Sequence, residues 1–150
     1  MNRIIRALGA LTLAALPLIS TVARADDEDA VAYRKHIMRT LDEQTAALGM
    51  ILSGAIPEDN LVLHMDAIAT TASMALSSFE SNVPGGDAKP EVWSNWEDFA
   101  KRMNDFAAKT ANMAKVAHDE DPQTAVELAI EALDCKGCHK VYNNKRADDE

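Results

Sequence analysis

The chain has 150 residues, contains 24 Asp and Glu against 15 Lys and Arg, and carries a formal charge of −9. All of the acidic residues and 12 of the basic ones fall within residues 26–150, which gives that segment a formal charge of −12. Nucleic acid and anionic membranes are poor partners for such a surface, whereas a protein with a basic docking patch would be attracted to it. The same charge can also serve only to keep the protein soluble. The length of residues 26–150 suits one domain.

The N-terminal residues 1–25 have the pattern of a secretory signal peptide. Two arginines precede an apolar run at residues 7–19, and an A-x-A cleavage site ends at Ala25. The apolar run is shorter than the roughly 20 residues that a spanning helix needs, and no other segment could span a membrane. We therefore expect cleavage after Ala25, a mature domain at residues 26–150 and a periplasmic location in a Gram-negative bacterium.

Four amphipathic helical segments follow the predicted cleavage site, and no β-strand pattern stands out. Their apolar residues recur at spacings of three and four, and breaks rich in Gly and Pro separate them. The segments are predicted at about residues 29–53, 58–79 and 90–118, and from Asp121-Pro122 to the charged tail at Arg146. This pattern predicts an all-α fold, an antiparallel four-helix bundle whose small core side chains leave room for a bulky prosthetic group.

The most regular apolar stripe lies in the third segment, where spacings of four and three predict the packing seam of the bundle. Its members are Val92, Trp96, Phe99, Met103, Phe106, Thr110, Met113 and Ala117. The stripe of the fourth segment consists of Ala125, Leu128, Ala132, Cys135, His139 and Tyr142. We therefore expect the two cysteines to lie within one continuous terminal helix.

The sequence Cys135-Lys136-Gly137-Cys138-His139 is a C-x-x-C-H haem-attachment motif. On a helix the two thiols lie on neighbouring faces, where each can form a thioether with one vinyl group of the same haem. His139 follows one turn after Cys135, and its imidazole can supply an axial nitrogen to the iron. The predicted export agrees, because bacteria attach haem c outside the cytoplasm. The motif thus predicts one covalent haem c.

Two other functions use the same residue types. A C-x-x-C pair can act as a thiol-disulfide redox centre, but that motif belongs at a strand-to-helix junction, and no strand is predicted here. A zinc site would need a fourth ligand, for which His64 is the only plausible donor. Both alternatives stay open at this point, although motif, compartment and helical context together favour haem.

These features resemble the cytochrome c-prime family, whose members carry C-x-x-C-H in the last helix of a four-helix bundle. The resemblance covers most of the mature chain. It includes Tyr33-Arg34 followed by Met38, the turn glycine Gly54, the loop at residues 85–93, and the motif followed by Tyr142. The resemblance implies that Arg34 contacts a haem propionate and that the protein pairs into a homodimer through its first two helices.

The family has two branches, which differ in the residue opposite the axial histidine. In the high-spin branch a bulky side chain shields an open sixth position that binds nitric oxide or carbon monoxide. In the low-spin branch (cytochrome c-556 type) a methionine sulfur occupies that position, and Met38 stands at the matching place here. High-spin members usually have a basic residue after the tyrosine, whereas this chain has Asn143. The methionine at position 38 and the asparagine at position 143 both favour the low-spin branch.

The resulting interpretation is an electron carrier rather than an enzyme, with iron ligated by His139 and Met38. A thioether ligand raises the reduction potential and suits electron transfer. Its partners would be redox proteins that dock through a basic patch. The alternative is a five-coordinate protein that binds nitric oxide or carbon monoxide, in which Met38 only covers the iron.

Overall fold

The computed structural model describes residues 27–119 and 122–145. The predicted signal peptide at residues 1–25 lies outside these described residues. The helices are α1 (Asp27–Leu52), α2 (Leu61–Ala75), α3 (Glu91–Ser94), α4 (Trp96–Asp119), α5 (Pro122–Ala132) and α6 (Cys135–Tyr142). Two short 3-10 helices, Glu58–Asn60 and Leu76–Phe79, flank α2.

These elements form the four-helix bundle that the sequence predicts. Its four arms are α1, α2 with its flanking turns, α3 with α4, and α5 with α6. Packing is most extensive between α1 and α2, between α2 and α4, and between α4 and α5, so consecutive arms are neighbours. Within residues 27–119 and 122–145, no helix is both long and apolar enough to cross a membrane.

The third and fourth arms are each divided into two helices. Asn95, with φ −124° and ψ 47°, leaves the helical region, so α3 ends there and α4 begins at the next residue. In the last arm α5 ends at Ala132, and the side chain of Asp134 accepts a hydrogen bond from the Gly137 N–H at 3.1 Å. A short carboxylate competes with helical carbonyls for such donors and starts a new helix. The prediction of one continuous terminal helix is therefore wrong.

Most of the core lies on the predicted stripes, although Cys135 of the fourth stripe is exposed. Six of the eight seam residues in the third arm are buried, and Trp96 and Phe106 are partly buried. The largest fully buried side chains come from three arms and are Leu48, Met65, Ile68, Val92, Thr110 and Met113. The Thr110 hydroxyl donates to the Phe106 carbonyl at 3.0 Å, so this buried polar group is satisfied within its own helix.

The connecting loop, residues 80–90, joins α2 to α3 and also holds the end of α6. The Lys89 N–H donates to the Tyr142 carbonyl at 2.9 Å, and the Asn144 N–H donates to the Asp87 carbonyl at 2.7 Å. These two bonds form a short antiparallel pairing between the loop and the chain that leaves α6. The C-terminal end of the motif helix is therefore fixed by backbone as well as by side chains.

The opposite side of the connecting loop rests on α1. Gly85 has a φ of +140°, and a Cβ at this position would lie 3.0 Å from the Val31 Cγ2. Gly86 follows with a φ of +63° and approaches Val31 and Lys35 in the same way. Glycine is required here for its backbone conformation and for the close approach to α1.

We expect Gly85→Ala to lower the free energy of unfolding by about 1–3 kcal/mol, because it adds both backbone strain and a contact with Val31. The matched control is Gly49→Ala. Gly49 is a helical residue of α1, and a Cβ added there would have nothing within 4 Å, so alanine should stabilise the protein by about 0.5–1 kcal/mol. Urea unfolding measures both values, and a loss of equal size at the two positions would contradict the role of the loop.

Candidate haem site

The C-x-x-C-H motif opens α6. Cys135 is exposed at the first position of the helix, and Cys138 and His139, one turn later, are partly buried. Asp134 caps this turn, and a Cβ on Gly137 would lie 2.5 Å from the Asp134 Oδ2. Gly137 therefore allows the capping carboxylate of Asp134 to fold over the start of the helix.

The far end of α6 is anchored in an aromatic cluster. Tyr142 is only 4% exposed, and its ring packs edge-on against Phe99 of α4 with 5.1 Å between centroids. Phe99 packs in turn against Phe79 at 4.9 Å. Because Tyr142 lies one turn after Cys138, this cluster fixes the face of α6 that carries the half-buried thiol.

A polar network continues from the Tyr142 hydroxyl to α4. The hydroxyl donates to the Asp98 Oδ2 at 2.6 Å and accepts from the Asn95 amide at 3.2 Å. The Arg102 Nε donates to the same Asp98 oxygen, also at 2.6 Å. The bonds from Tyr142 and Arg102 hold the pKa of the Asp98 carboxyl below its usual range, and burial together with Asp98 raises the pKa of Tyr142. Asp98 is thus a fixed anion that joins α4 to α6.

The electrostatic environment of Cys138 includes this network. Burial is the main cause that raises the pKa of its thiol, and the positive charge of Arg102 acts in the opposite direction. The charges of Asp98 and Cys135 each raise the same pKa further. The pKa of the Cys138 thiol is therefore sensitive to charges on α4 as well as to the neighbouring cysteine of its own helix.

Arg34 is the most deeply buried charged side chain among the described residues, at 3% exposure. Its Nη2 donates to the Gly85 carbonyl at 3.2 Å, and its guanidinium lies 5.2 Å from the ring centroids of both Phe79 and Trp93. Within the described part of the chain, its Nη1 has no hydrogen-bond partner. Burial lowers the pKa of this guanidinium, yet arginine stays charged at any physiological pH.

Met38 lies on α1, one turn after Arg34. It is partly buried and packs against the core cluster, which Cys138 also contacts. The connecting loop brings this part of α1 to the same end of the bundle as α6, because it bonds Arg34 at Gly85 and the end of α6 at Asp87 and Lys89. Ligation of iron by the Met38 sulfur stays a prediction.

The alternative zinc ligand does not join the motif. The His64 Nδ1 lies 2.7 Å from the Gln44 Oε1, so the ring links α2 to α1. Among residues 27–119 and 122–145, no group of three or more His, Cys, Asp or Glu side chains could hold a metal ion. The described residues therefore give the zinc interpretation no support.

The sequence profile of the family described as Cytochrome C' matches residues 29–143. The chain belongs to the cytochrome c-prime family. It is 30% identical over 149 residues to cytochrome c' from Rhodospirillum rubrum, covering 93% of this chain and 95% of that protein. It is 24% identical over 125 residues to cytochrome c' from Alcaligenes xylosoxydans, covering 81% of this chain and 98% of that protein.

Solved structures of cytochrome c-prime have the same fold. The protein from Shewanella frigidimarina aligns with a TM-score of 0.70 at 25% identity, covering 82% of this chain and 100% of the other. A variant from Alcaligenes xylosoxidans with bound nitric oxide aligns with a TM-score of 0.71 at 24% identity, covering 83% and 100%. The predicted bundle is thus confirmed, as is the predicted single covalent haem c that cytochrome c-prime proteins bind.

The residues present fit this cofactor of the cytochrome c-prime family. Haem carries two carboxylates, its propionates, and the buried Arg34 offers a charged Nη1 donor that the described residues leave unsatisfied. An unmatched buried donor costs about 1–3 kcal/mol, and a carboxylate would remove that cost. The fit extends to the motif, where one helical turn presents two thiols and an imidazole.

Some residues of the site were missed by the sequence interpretation. Asp98 and Arg102 have the i, i+4 spacing of a helical ion pair, which was a usable signal for their mutual contact. The spacing could not indicate that Tyr142, 44 residues away, completes the network. Asp134 directly before the motif was also a usable signal, because Asp is a preferred N-cap residue.

We expect Arg34→Met to move the pH dependence of the reduction potential to higher pH. A facing guanidinium lowers the pKa of a carboxyl by about 1–3 units, so its removal raises the pKa of the propionate. Because the ionised propionate favours ferric iron, the potential falls through that pKa as pH rises. Arg39→Met removes the same charge from an exposed position of α1 and is the control. Identical profiles for the two variants would contradict a propionate contact at Arg34.

Proposed function

We propose that this cytochrome c-prime binds nitric oxide or carbon monoxide at an iron held by His139, with the haem attached through Cys135 and Cys138. The haem supplies an iron whose open axial position accepts a diatomic ligand. The observation that carries the proposal is the family itself, since variants of the cytochrome c-prime from Alcaligenes xylosoxidans contain bound nitric oxide or carbon monoxide. In this proposal the chain is a binding protein of the periplasm and not an enzyme.

The motif residues have distinct tasks in this proposal. Cys135 and Cys138 hold the porphyrin against α6, whose ends are fixed by the Asp134 cap and by Tyr142. A helix held at both ends would keep the His139 imidazole in place to bind the iron. Arg34 would pair with a propionate from α1. These contacts support a rigid site whose variable part is the side chain opposite His139.

The attachment is tested by replacing the cysteines. We expect Cys135→Ser and Cys138→Ser each to leave one thioether, and the double variant to lose covalent haem altogether. A denaturing gel stained for haem and the mass of the purified chain measure attachment directly. His139→Ala should keep the thioethers but change the spectrum, because the axial nitrogen is lost. Retention of covalent haem in the double cysteine variant would refute the assignment.

A second candidate function is electron transfer, and Met38 is the observation that favours it. Its side chain is partly buried on α1, one turn beyond Arg34, and a thioether is a good ligand for low-spin iron. Asn143 after Tyr142 favours the same function. As an electron carrier the protein would dock redox partners whose basic patches complement its acidic surface. The two functions differ only in whether Met38 binds the iron or covers it.

Replacement of Met38 separates the two functions. If Met38 only covers the iron, Met38→Leu keeps the gas-free spectrum of the ferrous protein. Met38→Ala then raises carbon monoxide affinity about 5- to 150-fold, because a crowding cost of about 1–3 kcal/mol is removed. If the sulfur is a ligand, both variants turn a low-spin spectrum high-spin and lower the potential. Met50→Leu, at a residue 51% exposed on α1, is the control and should change nothing.

The homodimer implied by the family resemblance belongs to the same proposal. Leu63 and Met74 on α2 are 64% and 39% exposed, which supports contacts through the first two arms. Sedimentation of the haem-loaded protein measures the mass of the assembly. A charged residue at Leu63 should convert a dimer built on this face into monomers.

A further inference from the structure

A charge pair on α4 is joined to α6, the helix that carries both proposed attachment cysteines. The Arg102 Nε and the Asp98 Oδ2 are 2.6 Å apart, and both side chains lie on α4. Tyr142 joins this pair to α6 through its hydroxyl bond to Asp98, and the Arg102 guanidinium lies 6.0 Å from the Tyr142 ring centroid. The pair is therefore positioned with respect to α6 and not only within its own helix.

The position of the pair relative to the motif follows from helical geometry. Tyr142 is four residues after Cys138, so the two side chains lie on the same face of α6. The aromatic packing of Tyr142 on Phe99 turns that face toward α4. A cation and an anion are thus fixed at the edge of the site where Cys138 would carry the porphyrin.

We propose that Arg102 and Asp98 place two opposite charges at the edge of the haem, each offsetting the effect of the other on the reduction potential, with Tyr142 holding them against α6. This inference rests on the proposed attachment at Cys138 and His139. It assigns a role to two residues of α4, which lie outside the C-x-x-C-H motif and away from Asn143, the position after Tyr142.

The expected signs follow from Coulomb's law. Reduction adds one electron to the iron and lowers the charge of the haem by one. A nearby cation therefore stabilises the ferrous form and raises the potential, whereas a nearby anion lowers it. In the intact pair the two effects largely cancel. Because the side chains of Arg102 and Asp98 are 44% and 40% exposed, salt should screen whatever effect remains.

The test is a cycle of charge-removing variants in the haem-loaded protein, with the potential measured by spectroelectrochemical titration. We expect Arg102→Gln to lower the potential, because Asp98 is left uncompensated. Asp98→Asn should raise it, and the double variant should return close to the wild-type value. Arg102→Lys keeps the charge and should stay nearest to wild type among the single variants. The shifts should shrink between low and high ionic strength.

A matched control comes from the neighbouring residue. Lys101 carries the same charge but is 72% exposed and pairs with Asp105, so Lys101→Gln should move the potential less than Arg102→Gln. Shifts of the same sign in the two single variants would indicate a structural effect and overturn the inference, as would an Arg102→Gln shift no larger than that of Lys101→Gln. Failure of the attachment itself is read separately, from haem staining of the cysteine variants.

Discussion

The connecting loop between α2 and α3 is the constraint on which the geometry of the site depends. Gly85 accepts a hydrogen bond from Arg34 of α1, while Asp87 and Lys89 pair with the chain at the end of α6. The five loop residues from Gly85 to Lys89 therefore contact the first and the last arm at the same end of the bundle. Because only glycine tolerates the φ of +140° and the contact with α1, the relative placement of these arms depends on a single small residue.

The arms themselves could be predicted from the sequence, because their stabilisation comes from one periodic face. In the third arm the spacing of Val92, Phe99, Met103 and Met113 identified side chains that the fold buries. The motif was equally readable, since Cys135, Cys138 and His139 are close together on one turn and need no distant partner. Local periodicity and local motifs require no knowledge of tertiary contacts.

The helix interruptions and the polar contacts could not be derived in the same way. Asn95 and Asp134 divide predicted helices because a side chain or a non-helical dihedral angle outweighs the continuing apolar stripe. The bond between Tyr142 and Asp98 joins residues 44 positions apart, and Arg34 is buried only because Phe79 and Trp93 close over it. Such contacts depend on how the arms of the bundle pack against one another. The spacing of apolar residues within one helix does not encode that packing.

Arg34 is the residue through which the proposed propionate contact would link the fold to the haem. Two aromatic faces within 5.2 Å offset part of the cost of burying a guanidinium, by about 0.5–2 kcal/mol each. They cannot replace a hydrogen bond to Nη1, whose loss costs about as much. Residues 26–150 have a formal charge of −12 and many carboxylates, yet none of those on the described residues reaches this atom. In the proposed contact a haem propionate would supply the missing acceptor, so that binding the cofactor would also complete the hydrogen bonding of the bundle's first arm.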